Sequence, residues 1–181
     1  MTMAPGLRKF ALAAHLTLSV GWIGAVAAYM ALDVAAVASQ DVQTLRAAYI
    51  GMGLIAWHVI VPLAFASLLT GLVMSLGTKW GLFRHYWVLI SLLLTIVATV
   101  VLLLETQTIS HFAAVAADPR TSADDLRALG GTLGHSVGGT VVLLVVLGLN
   151  LYKPRGMTRY GWRKQREQRH EQHERRPAPV P

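Results

Sequence analysis

Four long stretches without a charged side chain dominate this sequence of 181 residues. Asp, Glu, Lys and Arg are absent from residues 10–32, 47–78, 86–104 and 128–152. Each stretch is about as long as the roughly 18–20 residues that cross a hydrocarbon core of about 30 Å. Because lipid offers a peptide group no hydrogen-bond partner, such stretches fold as helices. The sequence therefore predicts an all-α membrane protein.

The predicted architecture is an antiparallel four-helix transmembrane bundle formed by residues 1–152. Its spans are expected at about residues 10–33, 48–77, 86–105 and 129–152. In the long loop after the third span, Ser122 is a candidate N-cap for a short surface helix, and Asp118-Pro119 favours a turn before it. The chain has no cysteine, which excludes disulfides, thiolate ligands and iron–sulfur clusters.

Basic side chains are distributed unequally between the two sides of these spans. Thirteen of the 16 Lys and Arg residues precede the first span, lie between the second and third, or follow the fourth. Because basic loops remain in the cytoplasm, both termini are predicted to be cytoplasmic in a multi-pass protein of the plasma membrane. Several acids fall on the opposite, outer side: Asp33, Asp41, Asp118, Asp124 and Asp125.

The segment after the fourth span, residues 153–181, is basic and contains few aliphatic side chains. This composition predicts a cytoplasmic tail that is partly helical and largely disordered. Its positive charge favours contact with anionic lipid of the bilayer. No nucleic-acid partner is expected.

Three of the four spans contain a histidine, and an ionisable residue inside a span is a candidate functional residue. A helix rises about 1.5 Å per residue, which places His15 roughly 9 Å to the cytoplasmic side of the midplane. By the same rise, His135 lies at a similar depth in the outer half and His58 lies roughly 6–10 Å above the midplane. His58 and His135 are therefore at matching depths on different helices, whereas His15 is not.

Two imidazoles at one depth are the ligands of a bis-histidine haem. The sequence thus predicts His58 and His135 as metal ligands, with His15 as an inner ligand or base. Gly131 and Gly139 lie one turn on either side of His135, where glycine would permit a flat ring to approach the helix. The expected cofactor is haem b.

The glycines around His135 have a second interpretation. Gly130, Gly134 and Gly138 form overlapping Gly-x-x-x-Gly patterns, which are typical of close helix packing in lipid. In that case the fourth span would contact a partner helix or a second copy of the chain, and His135 would bond to a facing carbonyl.

Other residues near the histidines also have more than one interpretation. Ser19, one turn after His15, is a candidate hydrogen-bond partner for it. Glu105 would either join a metal site with His58 and His111 or be exposed at the outer surface. Pro62 removes the partner of the His58 carbonyl, which predicts a kink in the second span.

Several short motifs carry a resemblance. They are His15 with Trp22 and Gly24, Phe83-Arg84-His85-Tyr86-Trp87, His135 with Gly138-Gly139, and the exit Tyr152-Lys153-Pro154-Arg155-Gly156. Together they resemble a family of small bacterial, mostly actinobacterial, four-helix integral membrane proteins. The resemblance covers residues 8 to about 165 and implies a fold without a particular activity.

The first of these motifs is also similar to that of the HemJ/CopD-type haem-associated membrane proteins. That resemblance implies that His15 binds haem or faces a tetrapyrrole. The HemJ-like proteins carry a lysine early in the third span, where this chain has Ser91. This departure argues against protoporphyrinogen oxidation.

The functional hypothesis is a b-type haem protein that transfers electrons or oxidises a small membrane substrate. One alternative is a membrane scaffold or accessory subunit that uses the glycine face. Another is a small transporter or metal-handling protein. The sequence leaves open whether the protein is an enzyme.

Overall fold

The computed structural model describes residues 3–78 and 81–174 of the chain. Within these residues the regular secondary structure is helical, and the helices are α1 (Pro5–Ala38), α2 (Val42–Ile55), a π-helical turn (Ala56–Ile60), α3 (Val61–Gly77), α4 (Tyr86–Ala117), α5 (Ala123–Ala128), α6 (Leu133–Tyr152) and α7 (Arg159–Glu174). The predicted all-α class is confirmed.

Four of these helical segments are long and apolar enough to cross a membrane. They are α1, the continuous segment Val42–Gly77, α4 and α6. Helices α1 and α4 extend beyond the predicted spans, α4 by twelve residues past 105, whereas α6 begins at Leu133 rather than at 129. Large apolar side chains point outward along all four, as contact with lipid requires; examples are Phe10, Leu16, Phe65, Leu69, Leu93 and Leu144.

The four long segments pack around a common core. Helices α1 and α4 each contact both α6 and the α2–α3 segment, so they lie between the two. The core contains Trp22, Tyr29, Tyr49, Met52 and Leu143. The last turn of α3 reaches the chain start, where the Met3 amide donates to the Gly77 carbonyl over 3.1 Å.

The π-helical turn lies immediately before Pro62. A proline ring cannot donate to the ladder and clashes with the carbonyl four residues earlier. The Val61 amide bonds to the Ala56 carbonyl, five residues back, so the turn is wider than an α-helical one. The distortion expected from Pro62 is therefore a wide turn, and it carries the exposed side chains of Trp57 and His58.

Two helices begin with a side-chain cap at the same end of the molecule. This end contains α5 and is named the α5 end. Ser122 Oγ accepts from the Asp125 amide at the start of α5, which confirms the predicted cap. Asp41 Oδ2 accepts from the hydroxyl and the amide of Thr44 at the start of α2. The Thr44 hydroxyl, followed by its amide, lowers the pKa of Asp41.

Arg46 connects α2 to the loop that follows α4. Its guanidinium donates to the carbonyls of Ala116, Asp118 and Thr121. A guanidinium presents several donors in a fixed plane, so a single side chain bonds to one carbonyl in the last turn of α4 and to two in the loop that follows it. The contact fixes the position of the loop that leads to α5 and α6.

Asp33 holds the first turn of α6 against α1. The Asp33 side chain is completely buried. Its Oδ1 accepts from the Thr132 amide over 3.0 Å, and its Oδ2 accepts from the hydroxyls of Thr132 and Ser136 over 2.9 and 3.1 Å. Since the Thr132 hydroxyl donates to Asp33, the Tyr29 hydroxyl donates to Thr132. The sequence places Asp33 among the acids of the outer side, but these hydrogen bonds to Thr132 and Ser136 were not predicted from it.

We expect Asp33→Ala to lower the free energy of unfolding by about 1–3 kcal/mol, because it leaves buried donors without an acceptor. The measurement is reversible unfolding in mixed detergent micelles, followed by circular dichroism. Asp124→Ala is the matched control, since the Asp124 side chain is 95% exposed, and it should change stability by less than about 0.5 kcal/mol. Equal losses in the two variants would contradict the buried role of Asp33.

Candidate functional site

A cavity of about 250 Å³ lies between α1, the π-helical turn, α4 and α6. Most of its wall is aliphatic, including Val26, Ile60, Leu102 and Leu143. Its polar lining residues are Tyr29, Glu105, Thr132, His135 and Ser136. This combination of an apolar wall and a few polar groups is typical of small-molecule sites.

An acid–base pair forms part of the cavity wall. His135 Nε2, on the first turn of α6, lies 3.3 Å from Glu105 Oε1 on α4. The His135 side chain is 59% exposed, and that of Glu105 is 21% exposed. The pair therefore joins two helices while leaving much of the imidazole accessible. It can accept or donate a proton, because imidazole and carboxylate both exchange protons with a bound group.

Trp22 contributes a hydrogen-bond donor without a partner. Its side chain lines the cavity from α1 and is 4% exposed. Among the described residues, Trp22 Nε1 finds no hydrogen-bond acceptor. A buried donor left unpaired costs about 1–3 kcal/mol. An acceptor atom within the cavity would offset that cost.

Three glycines of α6 also line the cavity: Gly134, Gly138 and Gly139. A Cβ atom placed on any of them would meet no neighbouring atom within 4 Å. The face of α6 that carries them is therefore uncovered in a single copy of the chain. Gly139, which the sequence predicts as a cofactor-facing glycine, lies next to open space.

Gly130 and Gly131 have different roles because both precede α6, which begins at Leu133. Gly130 has a φ of +74°, and its carbonyl accepts from the Tyr49 hydroxyl. A Cβ on Gly131 would lie 2.5 Å from Val37 Cγ2 and 3.1 Å from Asp33 Oδ1. The predicted helical Gly-x-x-x-Gly pattern therefore does not include Gly130, and the structure places Gly131 against α1 rather than in the cavity lining.

His58 is not among the residues that line this cavity. It is exposed on the outside of the π-helical turn, and its Nδ1 lies 3.1 Å from the Leu54 carbonyl of the same helical segment. The structure does not bring His58 and His135 together at one cavity.

His15 lies elsewhere, between α1 and α3. Its Nδ1 is 3.0 Å from Thr70 Oγ1, and the Thr70 hydroxyl donates to the Ala66 carbonyl over 2.7 Å. With its proton on that carbonyl, the Thr70 oxygen can accept a hydrogen bond from His15 Nδ1. Ser19, the partner expected for His15, instead pairs with Ser67 over 2.8 Å.

No group of three or more His, Asp or Glu side chains suited to a metal ion occurs in residues 3–78 and 81–174. Glu105 pairs with His135 and not in a cluster with His58 and His111. No family model, curated protein or solved structure matches the chain. The chemical capacity of the site therefore rests on the cavity, the Glu105–His135 pair and the Trp22 donor.

The two glycines Gly131 and Gly138 should respond oppositely to alanine. Gly131→Ala should lower the free energy of unfolding by about 1–3 kcal/mol, since the added methyl group overlaps Val37. Gly138→Ala should raise it by about 0.5–1 kcal/mol, because alanine is the better helix former and its Cβ meets open space. Unfolding in mixed micelles measures both, and a loss at Gly138 as large as that at Gly131 would contradict the packing described here.

Proposed function

We propose that this chain is a multi-pass membrane protein that binds a small, mainly apolar molecule carrying a hydrogen-bonding head group. The observation that carries the proposal is the Glu105–His135 pair in the wall of a largely aliphatic cavity. Four helices long and apolar enough to span a membrane are compatible with that location. The ligand would enter from the bilayer.

The proposed topology is an antiparallel bundle with both termini in the cytoplasm. The distribution of Lys and Arg supports that orientation. The Met3–Gly77 bond joins the start of α1 to the end of α3, and the Asp33–Thr132 bond joins the end of α1 to the start of α6. Both contacts suit neighbours that run in opposite directions. The α5 end would then face outward, and the cavity would lie in the outer half of the bilayer.

The cavity restricts the chemistry of its ligand. Its volume of about 250 Å³ is slightly below the roughly 300–1,000 Å³ of typical ligand sites, which favours a compact molecule. The aliphatic wall favours an apolar body. The head group would exchange hydrogen bonds with His135 and Glu105. Trp22, seven residues before Tyr29 and hence about 10 Å deeper, would donate to a second acceptor.

A cavity-filling substitution tests this proposal. Gly139→Leu should displace the bound molecule, because its side chain would occupy the space beside His135, whereas Gly148→Leu is the matched control. Gly148 is also on α6 with no atom near its Cβ position, but it does not line the cavity. The measurement is mass spectrometry of small molecules extracted from each protein after purification in mild detergent from cell membranes.

The expected result is a molecule present at about one equivalent in the wild type and in Gly148→Leu, and lost from Gly139→Leu. Glu105→Gln should lower its occupancy severalfold, since a hydrogen bond involving a charged group is worth about 1.5–3 kcal/mol. Identical extracts from all variants would overturn the proposal.

The second candidate function is haem binding through His135. The open faces of Gly138 and Gly139 beside a half-exposed imidazole favour it. His135 alone would hold the haem in this candidate, because His58 is not among the residues that line the cavity. A bound haem would supply one-electron transfer. His135 would hold the iron, and Glu105 would release His135 Nε2.

Absorption spectra of the protein from haem-replete cells test that candidate. We expect a Soret band and a reduction-dependent α band that His135→Ala abolishes and His58→Ala retains. A protein that remains colourless after haem is added would exclude haem b. Loss of the bands in both variants would restore the bis-histidine hypothesis.

The resemblance to small four-helix bacterial membrane proteins and to HemJ/CopD-type proteins stays a prediction. A scaffold function remains the alternative to both candidates, with Gly134 and Gly138 as the surface for a partner helix or a second copy. The open space beside Gly134 and Gly138 supports the scaffold function. Copurification of a stoichiometric partner protein with an empty cavity would favour it.

A further inference from the structure

Helix α7 is fixed to the residues before α4 by Thr158, which immediately precedes α7. The Thr158 amide donates to the Arg84 carbonyl over 3.0 Å, and the Thr158 hydroxyl donates to the Phe83 carbonyl. The same hydroxyl oxygen accepts from the Gly161 amide. A Cβ on Gly161 would lie 2.5 Å from the Arg84 carbonyl oxygen, so only glycine permits this approach. Part of the predicted tail is therefore an ordered helix, and residues 175–181 lie outside the described residues.

The charges of α7 are sorted between two faces. At 3.6 residues per turn, one arc of roughly 120° carries only basic and aromatic or imidazole side chains. Its described members are all exposed: Arg159, Trp162, Arg163, Arg166, Arg169 and His170. This set is called the basic face.

Glu167 and Glu171 lie on the neighbouring side of α7, with Tyr160 and Lys164. The third acid, Glu174, is the last residue of the helix and lies between that side and the basic face. Lys164 Nζ is 3.1 Å from Glu167 Oε2, and this hydrogen bond raises the pKa of Lys164. That side thus carries two acids and one lysine, whereas the basic face carries four arginines and no acid. A uniformly solvated basic segment would not require this separation.

Exposed aromatic side chains surround the attachment point of α7. Phe83, Tyr86 and Tyr152 are at least half exposed, and so is Trp162 on the basic face itself. Tryptophan and tyrosine are enriched at the membrane–water boundary. Because Thr158 bonds to the residues that precede α4, α7 begins at the end of a helix that can cross the bilayer.

We propose that the basic face of α7 binds the phosphate groups of anionic phospholipids in the adjacent leaflet, with Trp162 at the headgroup level. The uncompensated charge, the exposed indole and the attachment at the end of α4 each favour a lipid surface. A basic, amphipathic helix with tryptophan lies in the interface plane in this way. Attachment places the start of the basic face at the end of a helix that can cross the bilayer, and surface charge acts over roughly 8–10 Å. The proposal is independent of the cavity.

The absence of cysteine from the chain permits a direct test on all 181 residues in nanodiscs. A nitroxide is attached at His170→Cys on the basic face or, as control, at Gln168→Cys about 160° around the helix. The measurement is protection of the nitroxide from a water-soluble relaxation agent. Nanodiscs contain phosphatidylcholine alone or phosphatidylcholine with phosphatidylglycerol.

We expect protection at position 170 only with phosphatidylglycerol, reduced by added salt, and little change at position 168. In the same labelled protein, Arg163→Gln should reduce the ratio of lipid-bound to free α7 about fivefold. Lys164→Gln, which changes the neighbouring residue on the other side of the helix, should leave that ratio unchanged. Equal protection in both lipids would overturn the proposal. The proposal would also be overturned if the nitroxide at position 170 stayed fully accessible in both lipids and became protected only when RNA was added.

Discussion

The absence of water inside a bilayer is the constraint on which this structure depends, because each polar group there needs a partner within the protein. Asp33 meets it most completely. A fully buried carboxylate accepts three hydrogen bonds from residues 99 and 103 positions away. In doing so it supplies an acceptor to the open first turn of α6, where helix amides have none of their own. The place at which α6 begins, and hence the position of His135, follows from that contact.

Hydrogen bonding also separates the cavity from the rest of the core. Thr70 engages His15, and Ser67 engages Ser19, so the polar groups between α1 and α3 satisfy one another. In the cavity wall, Trp22 Nε1 has no acceptor and His135 is more than half exposed. Ser91 Oγ is a second buried group without a partner among the described residues, but it does not line the cavity. The unpaired Trp22 donor beside the Glu105–His135 pair therefore identifies the cavity as the candidate site.

The four apolar helices could be predicted from the sequence, since length and absence of charge determine them locally. The cap at Ser122 has a similarly local signal. The partners of Asp33 and Glu105 have no such signal, because they depend on which helices become neighbours. Tyr29, Asp33 and Ala36 lie at helical spacing and are all buried, so a search for polar residues in a packed stripe would have selected Asp33. The depth argument placed His58 and His135 at one level, but depth does not specify the direction in which a side chain points.

The anchoring of α6 has a mechanical consequence. Its side-chain contacts with α1 and α4 through polar groups come from the first turn, at Thr132, His135 and Ser136. Farther along, Leu143 is its buried apolar contact. The segment that follows α6 is tied to the start of α4 and to the residues before it, through the Gly156 carbonyl and through Thr158. Directional bonds therefore hold α6 near both ends, whereas its middle rests on apolar contacts such as that of Leu143. The middle of α6 is thus the part that can bow outward, and a small bow there would widen the gap between α4 and α6 toward the lipid while both ends stay in place.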